Sequence, residues 1–219
     1  MRGRGAAGGA GTAMSGPSDD DRLLAAQEAL FCERVLAKSG DTVLTEALRG
    51  AADITAWKHY PADDVFDPDT GAQWFYHCHD PAGDAREHGH FHCFVRPAGR
   101  TGPIHHLAAV GVDARGTLLR LFTVNQWVVG DQWADADTTI GLLERFDSHH
   151  ARPGYLVNRW LTAVLRLYAD EVRDLIRTRD TVLASRGGPE IRADRSLEVT
   201  SSLDVDLHAT AARLGVSTV

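Results

Sequence analysis

The stretch QWFYHCHDPAGDAREHGHFHCFV, residues 73–95, decides the fold. Its residues alternate with a period of two on either side of a short connection that contains Pro81 and Gly83. This pattern predicts strands over residues 73–79 and 87–95. A connection of that length joins antiparallel neighbours, so the stretch predicts a β-hairpin.

Outward from this hairpin the same pattern continues, and then the period changes. Further strands are predicted over 104–112 and 117–129, and a short strand (196–205) near the end of the chain. Apolar spacing typical of helices predicts helices over 20–39, 42–49, 138–146 and 156–184, with a terminal helix over 207–214. Residues 60–71 are rich in Pro and Asp and predict a long ordered loop.

Together these elements predict an α+β fold. We expect an antiparallel β-meander with helices packed on one side and a long C-terminal helix. The predicted organisation is a disordered leader (1–18), a single histidine-rich domain (19–184) and a C-terminal extension (185–219).

Composition excludes several classes of protein. The chain has 219 residues, a formal net charge of −7 and only two lysines, so it lacks the basic patch of a nucleic-acid binder. No run of about 18–20 apolar residues is present, so we expect no membrane association. Three cysteines are too few for a disulfide framework, which is typical of a cytoplasmic protein.

Histidine is the unusual residue of this sequence. Eleven are present, and seven of them lie between His77 and His106. Strand alternation places His77 and His79 on one face, and His88, His90 and His92 on one face of the next strand. If His79 lies opposite His88, then His77 lies opposite His90.

Four imidazoles in that arrangement predict a metal site. The predicted ligands are His77, His79, His88 and His90, because cross-strand neighbours lie about 5 Å apart. Imidazole nitrogen suits Fe, Cu and Zn, so the predicted cofactor is a divalent transition metal. His92 is excluded as a ligand beside His88, since two such positions are about 13 Å apart along a strand.

Candidate catalytic groups surround these ligands. Glu87 belongs to the opposite face of a regular strand, but a bulge at the hairpin mouth would turn it inward as a ligand or general base. His92 and Tyr76 are further catalytic candidates. His106 is expected on the same face as Ala108, where a buried, hydrogen-bonded histidine is as consistent with the pattern as a ligand.

Polar groups beside large rings are candidates for substrate binding. Asn125, Trp127 and Arg159 can recognise a small polar or anionic substrate if they border the histidines. Helix capping is the favoured role for His149 and His150. Cys78 and Cys93 are predicted to face away from the histidines as small core residues.

Other interpretations of the histidines stay open. They can form a solvated polar face, or a metal-free site for proton transfer. The sequence has no GxGxxG, GxxxxGK[ST], GxSxG or HExxH motif, so dinucleotide, nucleoside-triphosphate, serine-hydrolase and zincin functions lack their usual support.

Several strings together resemble a family of bacterial proteins known as a domain of unknown function. They are 59–61 (HYP), 64–67 (DVFD), 73–79 (QWFYHCH), 87–92 (EHGHFH), 151–153 (ARP) and 157–160 (VNRW). The resemblance covers about residues 25–182, with EHGHFH as its most specific part. It implies a single domain of that span and assigns no activity.

The function expected from the sequence is that of a small metalloenzyme. Non-haem iron or copper acting oxidatively on a small molecule is favoured. The alternatives are a zinc-dependent lyase or hydrolase, and a non-enzymatic module that binds a metal or a ligand.

Overall fold

A six-stranded antiparallel sheet organises the molecule. The computed structural model describes residues 16–82 and 85–217. Its strands lie side by side in chain order: β1 (Tyr60–Phe66), β2 (Ala72–His77), β3 (Gly89–Val95), β4 (His105–Val112), β5 (Leu118–Val124) and β6 (Val199–Asp204). The predicted α+β meander is therefore confirmed.

Seven α-helices accompany the sheet in the described part of the chain. They are α1 (Asp19–Lys38), α2 (Val43–Ala47), α3 (Gln126–Val129), α4 (Ala136–Leu143), α5 (Tyr155–Leu167), α6 (Ala169–Arg186) and α7 (Leu207–Arg213). A short 3-10 helix (Pro189–Ala193) precedes β6. None of the helices in the described ranges is long and apolar enough to cross a membrane.

The predicted hairpin has the predicted register. His77 on β2 is the Cα partner of His90 on β3. The pairing places His77, His90 and His92 on one face of the sheet. Trp74, Tyr76 and other alternate residues lie on the opposite face, where they join the main hydrophobic core.

The helices cover that second face. Trp160 of α5 contacts Phe91 with ring centroids 6.1 Å apart, and Asn158 of α5 accepts a hydrogen bond from Trp74 Nε1 at 2.8 Å. Cys78 and Cys93 are buried in this core, as predicted. This helical layer thus lies across the sheet from the histidine face, where only the short helix α3 packs among the described helices, through Val128 and Val129 near Phe122.

Three element predictions are wrong, each for a local reason. Residues 60–66 form the edge strand β1 rather than a loop, because Pro61 and the adjacent aspartates are tolerated at a sheet edge. The strand predicted over 117–129 ends at Val124, because the Asn125 side chain caps α3. The helix predicted over 156–184 is two helices, since Tyr168 leaves the helical region at φ −105° and ψ 26°.

The chain after residue 184 continues into the sheet. β6 pairs with β5 from Arg120↔Asp204 to Val124↔Val199. The predicted strand and helix near the C-terminus are thus both present. Most of the predicted leader, residues 1–15, lies outside the described residues, and Ser18 caps α1.

Candidate metal centre

Three histidines converge at the β2–β3 hairpin. His77 is the last residue of β2, His79 follows two residues later, and His90 faces His77 from β3. One ring nitrogen from each lies within 4.8 Å of the other two. The Nε2 atoms of His77 and His90 are only 2.8 Å apart.

This spacing fits a metal ion. Two imidazole nitrogens that bind one tetrahedral ion at 2.0–2.1 Å stand about 3.3 Å apart, so His77 and His90 need to separate by only about half an ångström. His77 and His90 are buried, while His79 is exposed. The three histidines can therefore hold a metal ion that solvent reaches from the His79 side.

The environment keeps the imidazoles of His77 and His79 neutral. Burial, followed by the like charges of His90 and His79, lowers the pKa of His77 to about 3. Burial, followed by His90, also lowers the pKa of His79. A histidine must be unprotonated to bind a metal, so both offer a lone pair at neutral pH.

Glu87 orients the third histidine. Its Oε1 accepts a hydrogen bond from His90 Nδ1 at 2.9 Å, which places the proton on Nδ1 and leaves Nε2 free for a metal. Glu87 thus turns inward, as the sequence analysis allowed. The turn arises because β3 begins only at Gly89, so strand alternation does not extend back to Glu87.

Arg120 of β5 holds Glu87 in turn. Its Nε donates to Oε2 at 2.5 Å and its Nη2 donates to Oε1 at 3.1 Å. Burial acts to raise the pKa of Glu87, but the hydrogen bonds from His90 and Arg120 prevail and lower it to about 2. With both oxygens engaged, Glu87 is a positioning residue rather than a fourth ligand or a free base.

The structure does not bring His88, a predicted ligand, together with the other three. His88 precedes the first residue of β3, and its Nδ1 lies 2.6 Å from the Tyr76 hydroxyl on the helical face of the sheet. Tyr76 occupies that face by strand alternation and lies in the main core. Tyr76, a predicted catalytic residue, thus lies on the opposite face of the sheet from His77 and His90.

His92 lies on the predicted face and is fully buried. Its ring centroid is 5.0 Å from that of His77 and 4.8 Å from that of His90. His92 Nδ1 lies 3.1 Å from His106 Nε2. Its other nitrogen, Nε2, has no hydrogen-bond partner among the residues that the structure describes.

A β-bulge brings His106 to this face. Cys93 pairs with Ala108 but Phe94 pairs with His106, so Leu107 is an extra residue in β4. The extra residue reverses the alternation, and His106 lies on the face of Ala109 rather than on that of Ala108. The prediction that His106 and Ala108 share a face is wrong for this reason.

The loop before β1 supplies residues that the sequence analysis missed. Trp57 stacks on His79 with ring centroids 4.1 Å apart, although 61% of its surface is exposed and its φ is +67°. His59 stacks on Phe75 at 3.5 Å and pairs with Asp64 through Nδ1 at 3.0 Å. The string 59–61 in the family resemblance was the only signal of this loop, and it gave no spatial position.

The predicted substrate-binding residues have structural roles. Asn125 is buried and donates to the carbonyl groups of Ile191 and Leu197, and Trp127 Nε1 donates to Leu197 as well. Arg159 pairs with Glu28 in the helical layer, across the sheet from the histidines. Arg159 therefore does not border the histidines, which was the condition for its predicted role in substrate binding.

The two histidines predicted to cap a helix, His149 and His150, also lie outside the histidine cluster. His149 and His150 are in the loop before α5, and His149 borders a cavity between helices α1, α4 and α5. α4 ends at Leu143 with Glu144 as its C-cap, so neither histidine caps it.

The fold and the site define the chain as an α+β protein with a histidine cluster on an antiparallel meander. It belongs to the family described as a domain of unknown function (DUF6969), which matches residues 23–205. No curated protein and no solved structure matches the chain significantly. The family match confirms that the chain resembles a domain of unknown function, as expected from the sequence.

Proposed function

We propose that this protein is a metal-dependent enzyme whose centre is formed by His77, His79 and His90. The observation that carries the proposal is the convergence of three ring nitrogens within 4.8 Å of one another. Catalytic metal sites typically use three protein ligands and leave a further position for water or substrate. The exposed position of His79 gives a small molecule access to such a position.

The support around these ligands favours a functional site over a solvated polar face. A carboxylate that hydrogen-bonds the outer nitrogen of a ligating histidine is a recurrent feature of metal centres, and Glu87 does this for His90. Arg120 fixes the carboxylate in turn. A solvated face would need neither burial of His77 and His90 nor this chain of contacts.

Oxidative chemistry on a small molecule is the reaction class that we favour. Neutral nitrogen donors suit Fe(II) or copper, which would supply redox chemistry at the open position. The residues of this chain would bind the ion, hold His90 in one orientation and shield the site through Trp57 and Phe75.

A zinc-dependent lyase or hydrolase is the second candidate. Three histidines with an open position are also a known catalytic zinc arrangement. Zinc would supply an activated water or polarise a carbonyl group. The identity of the bound metal separates the two candidates, because only iron or copper supports redox turnover.

The first prediction concerns metal content. Wild-type protein, purified without an affinity tag and incubated with Fe(II), Cu(II) or Zn(II), is expected to retain about one ion per chain by mass spectrometry of the elements. The double variant His77→Ala/His90→Ala is expected to retain none, because only one of the three ligands remains. Retention of a stoichiometric ion by the double variant would contradict the ligand assignment.

Two single variants serve as controls. His88→Ala should keep the ion, since His88 contacts Tyr76 on the other side of the sheet. His150→Ala removes an exposed histidine far from the cluster and should leave metal content unchanged. Loss of metal in His88→Ala would instead support the four-ligand set predicted from the sequence.

A further inference from the structure

The charge balance of the centre limits what it can bind. Its three donors are imidazoles, which bring no charge when they bind a metal, and the described residues contain no Asp or Glu in the donor group. The charge of Glu87 is offset by Arg120. The charge of Glu198 acts to raise the pKa of His79, but Glu198 is not a member of the donor group. A divalent ion here would thus carry positive charge that the neighbouring side chains do not cancel.

His92 lies beside this centre and has one unpartnered ring nitrogen. The two ring nitrogens of an imidazole lie on different edges, and Nδ1 of His92 faces His106 on β4. Nε2 is therefore directed away from β4 and towards β2, where the rings of His77 and Phe75 lie 5.0 and 5.2 Å away. His92 is fully buried, and within residues 16–82 and 85–217 nothing bonds to this nitrogen.

Buried polar nitrogens are almost always hydrogen-bonded, so this atom requires a partner. When His106 Nε2–H donates to His92 Nδ1, the proton of His92 resides on Nε2, on the side of the ring away from His106. The Nε2–H of His92 would then be a hydrogen-bond donor beside a metal ion whose charge is not cancelled. These two features together favour an anion that binds the metal ion and accepts the hydrogen bond from His92.

We propose that the centre takes a small anion, with one anionic oxygen or nitrogen bound to the metal and a hydrogen bond accepted from His92 Nε2. This inference rests on the proposed function and names its substrate class as small organic anions, such as carboxylates or enolates. His92 is thereby a binding residue for the exogenous ligand rather than a fourth metal ligand.

Azide is a suitable probe, because it is a small monoanion with a charge-transfer band when it binds Cu(II). Titration of the Cu(II)-loaded full-length protein should give a saturable band. In His92→Phe the copper content should be unchanged while azide binds at least tenfold more weakly. His92→Gln, whose amide can donate a hydrogen bond, should recover part of the affinity, and His150→Phe should match the wild type.

Each contrary result has a distinct meaning. Failure of the wild type to retain copper or any other metal would overturn the proposed function together with this inference. A copper-loaded wild type that does not bind azide would overturn the inference alone. Equal azide affinity in His92→Phe and wild type would remove His92 from the site, and copper loss in both His92 variants would show it to be a metal ligand.

Discussion

At the scale of single residues, the centre depends on where protons and charges lie. Glu87 accepts from His90 and is held by Arg120, so a residue outside the donor group sets the orientation of one proposed ligand. His77, a second proposed ligand, is neutral because burial disfavours its charged form. Substitution of Glu87 can therefore change the orientation of His90 without removing a member of the donor group.

The Glu87→Gln variant tests the positioning role. Glutamine keeps an oxygen that can accept from His90 but loses the charge that anchors Arg120. Mutation of such an outer partner typically weakens metal affinity 10–100-fold, and we expect a loss in that range because the charge of the carboxylate is lost. Competition with a chelator of known affinity measures it.

Glu171→Gln provides the matched control, since Glu171 pairs with Arg22 in the helical layer at 2.9 Å. It should leave metal affinity unaltered. Equal affinity in Glu87→Gln and wild type would show that the carboxylate does not tune the site.

At the scale of elements, a position without a side chain on β4 makes room for the ion pair between Glu87 and Arg120. Gly111 on β4 has no side chain, and a Cβ there would lie 2.4 Å from Glu87 Oε2 and 3.1 Å from Arg120 Cγ. The glycine thus permits Glu87 to lie flat against the sheet. The arrangement of His90 depends through Glu87 on a residue two strands from β2.

The Gly111→Ala variant is predicted to lose both stability and metal affinity. Overpacking of this kind costs about 1–3 kcal/mol, and displacement of Glu87 should release His90 from its orientation. Chemical denaturation of the metal-free protein gives the first quantity, and chelator competition gives the second.

Gly141→Ala is the control, and its expected change in stability has the opposite sign. Gly141 lies in α4, and the methyl group of an alanine there would enter open space. Alanine should therefore stabilise that helix by about 0.5–1 kcal/mol and leave metal affinity unaltered. Unchanged metal affinity in Gly111→Ala would show that the position of Glu87 does not affect metal binding.

The sequence predicted the parts of this site that follow from local periodicity. Alternation located the hairpin and paired His77 with His90, because side chains two residues apart share a face. It failed for His88, because regular alternation starts only at Gly89. It also missed Trp57, His59 and Arg120, since their approach depends on how distant segments fold together.

At the scale of the whole molecule, the sheet separates two environments. The main core and the helices that pack on it lie on one side, and the described histidines of the centre lie on the other among aromatic rings. Burial of several neutral imidazoles links the stability of the fold to pH. His106 shows this most simply, because it is not a member of the three-ligand group.

Stability of the metal-free protein should fall as the pH decreases from about 6.5. Burial, followed by the charges of Arg179 and His90, lowers the pKa of His106 to about 3. Between pH 6.5 and 3 the unfolded chain binds a proton at this residue and the folded protein does not, so unfolding is favoured as pH falls. The expected loss from His106 alone is about 2 kcal/mol between pH 7.5 and 5.

Denaturation curves at several pH values measure this dependence. His106→Gln retains a polar group beside His92 but does not titrate, so its stability should fall less steeply over the same range. Parallel curves for the variant and the wild type would show that His106 carries no linkage to folding.

The extra residue in β4 has a consequence for comparing members of the family. Leu107 shifts the odd–even parity of the strand, so the imidazole that meets His92 stands two places before Ala108. In a relative without this insertion, the equivalent histidine would have to stand directly before the counterpart of Ala108. An alignment that scores columns without gaps would then record a lost histidine where the three-dimensional position is still filled.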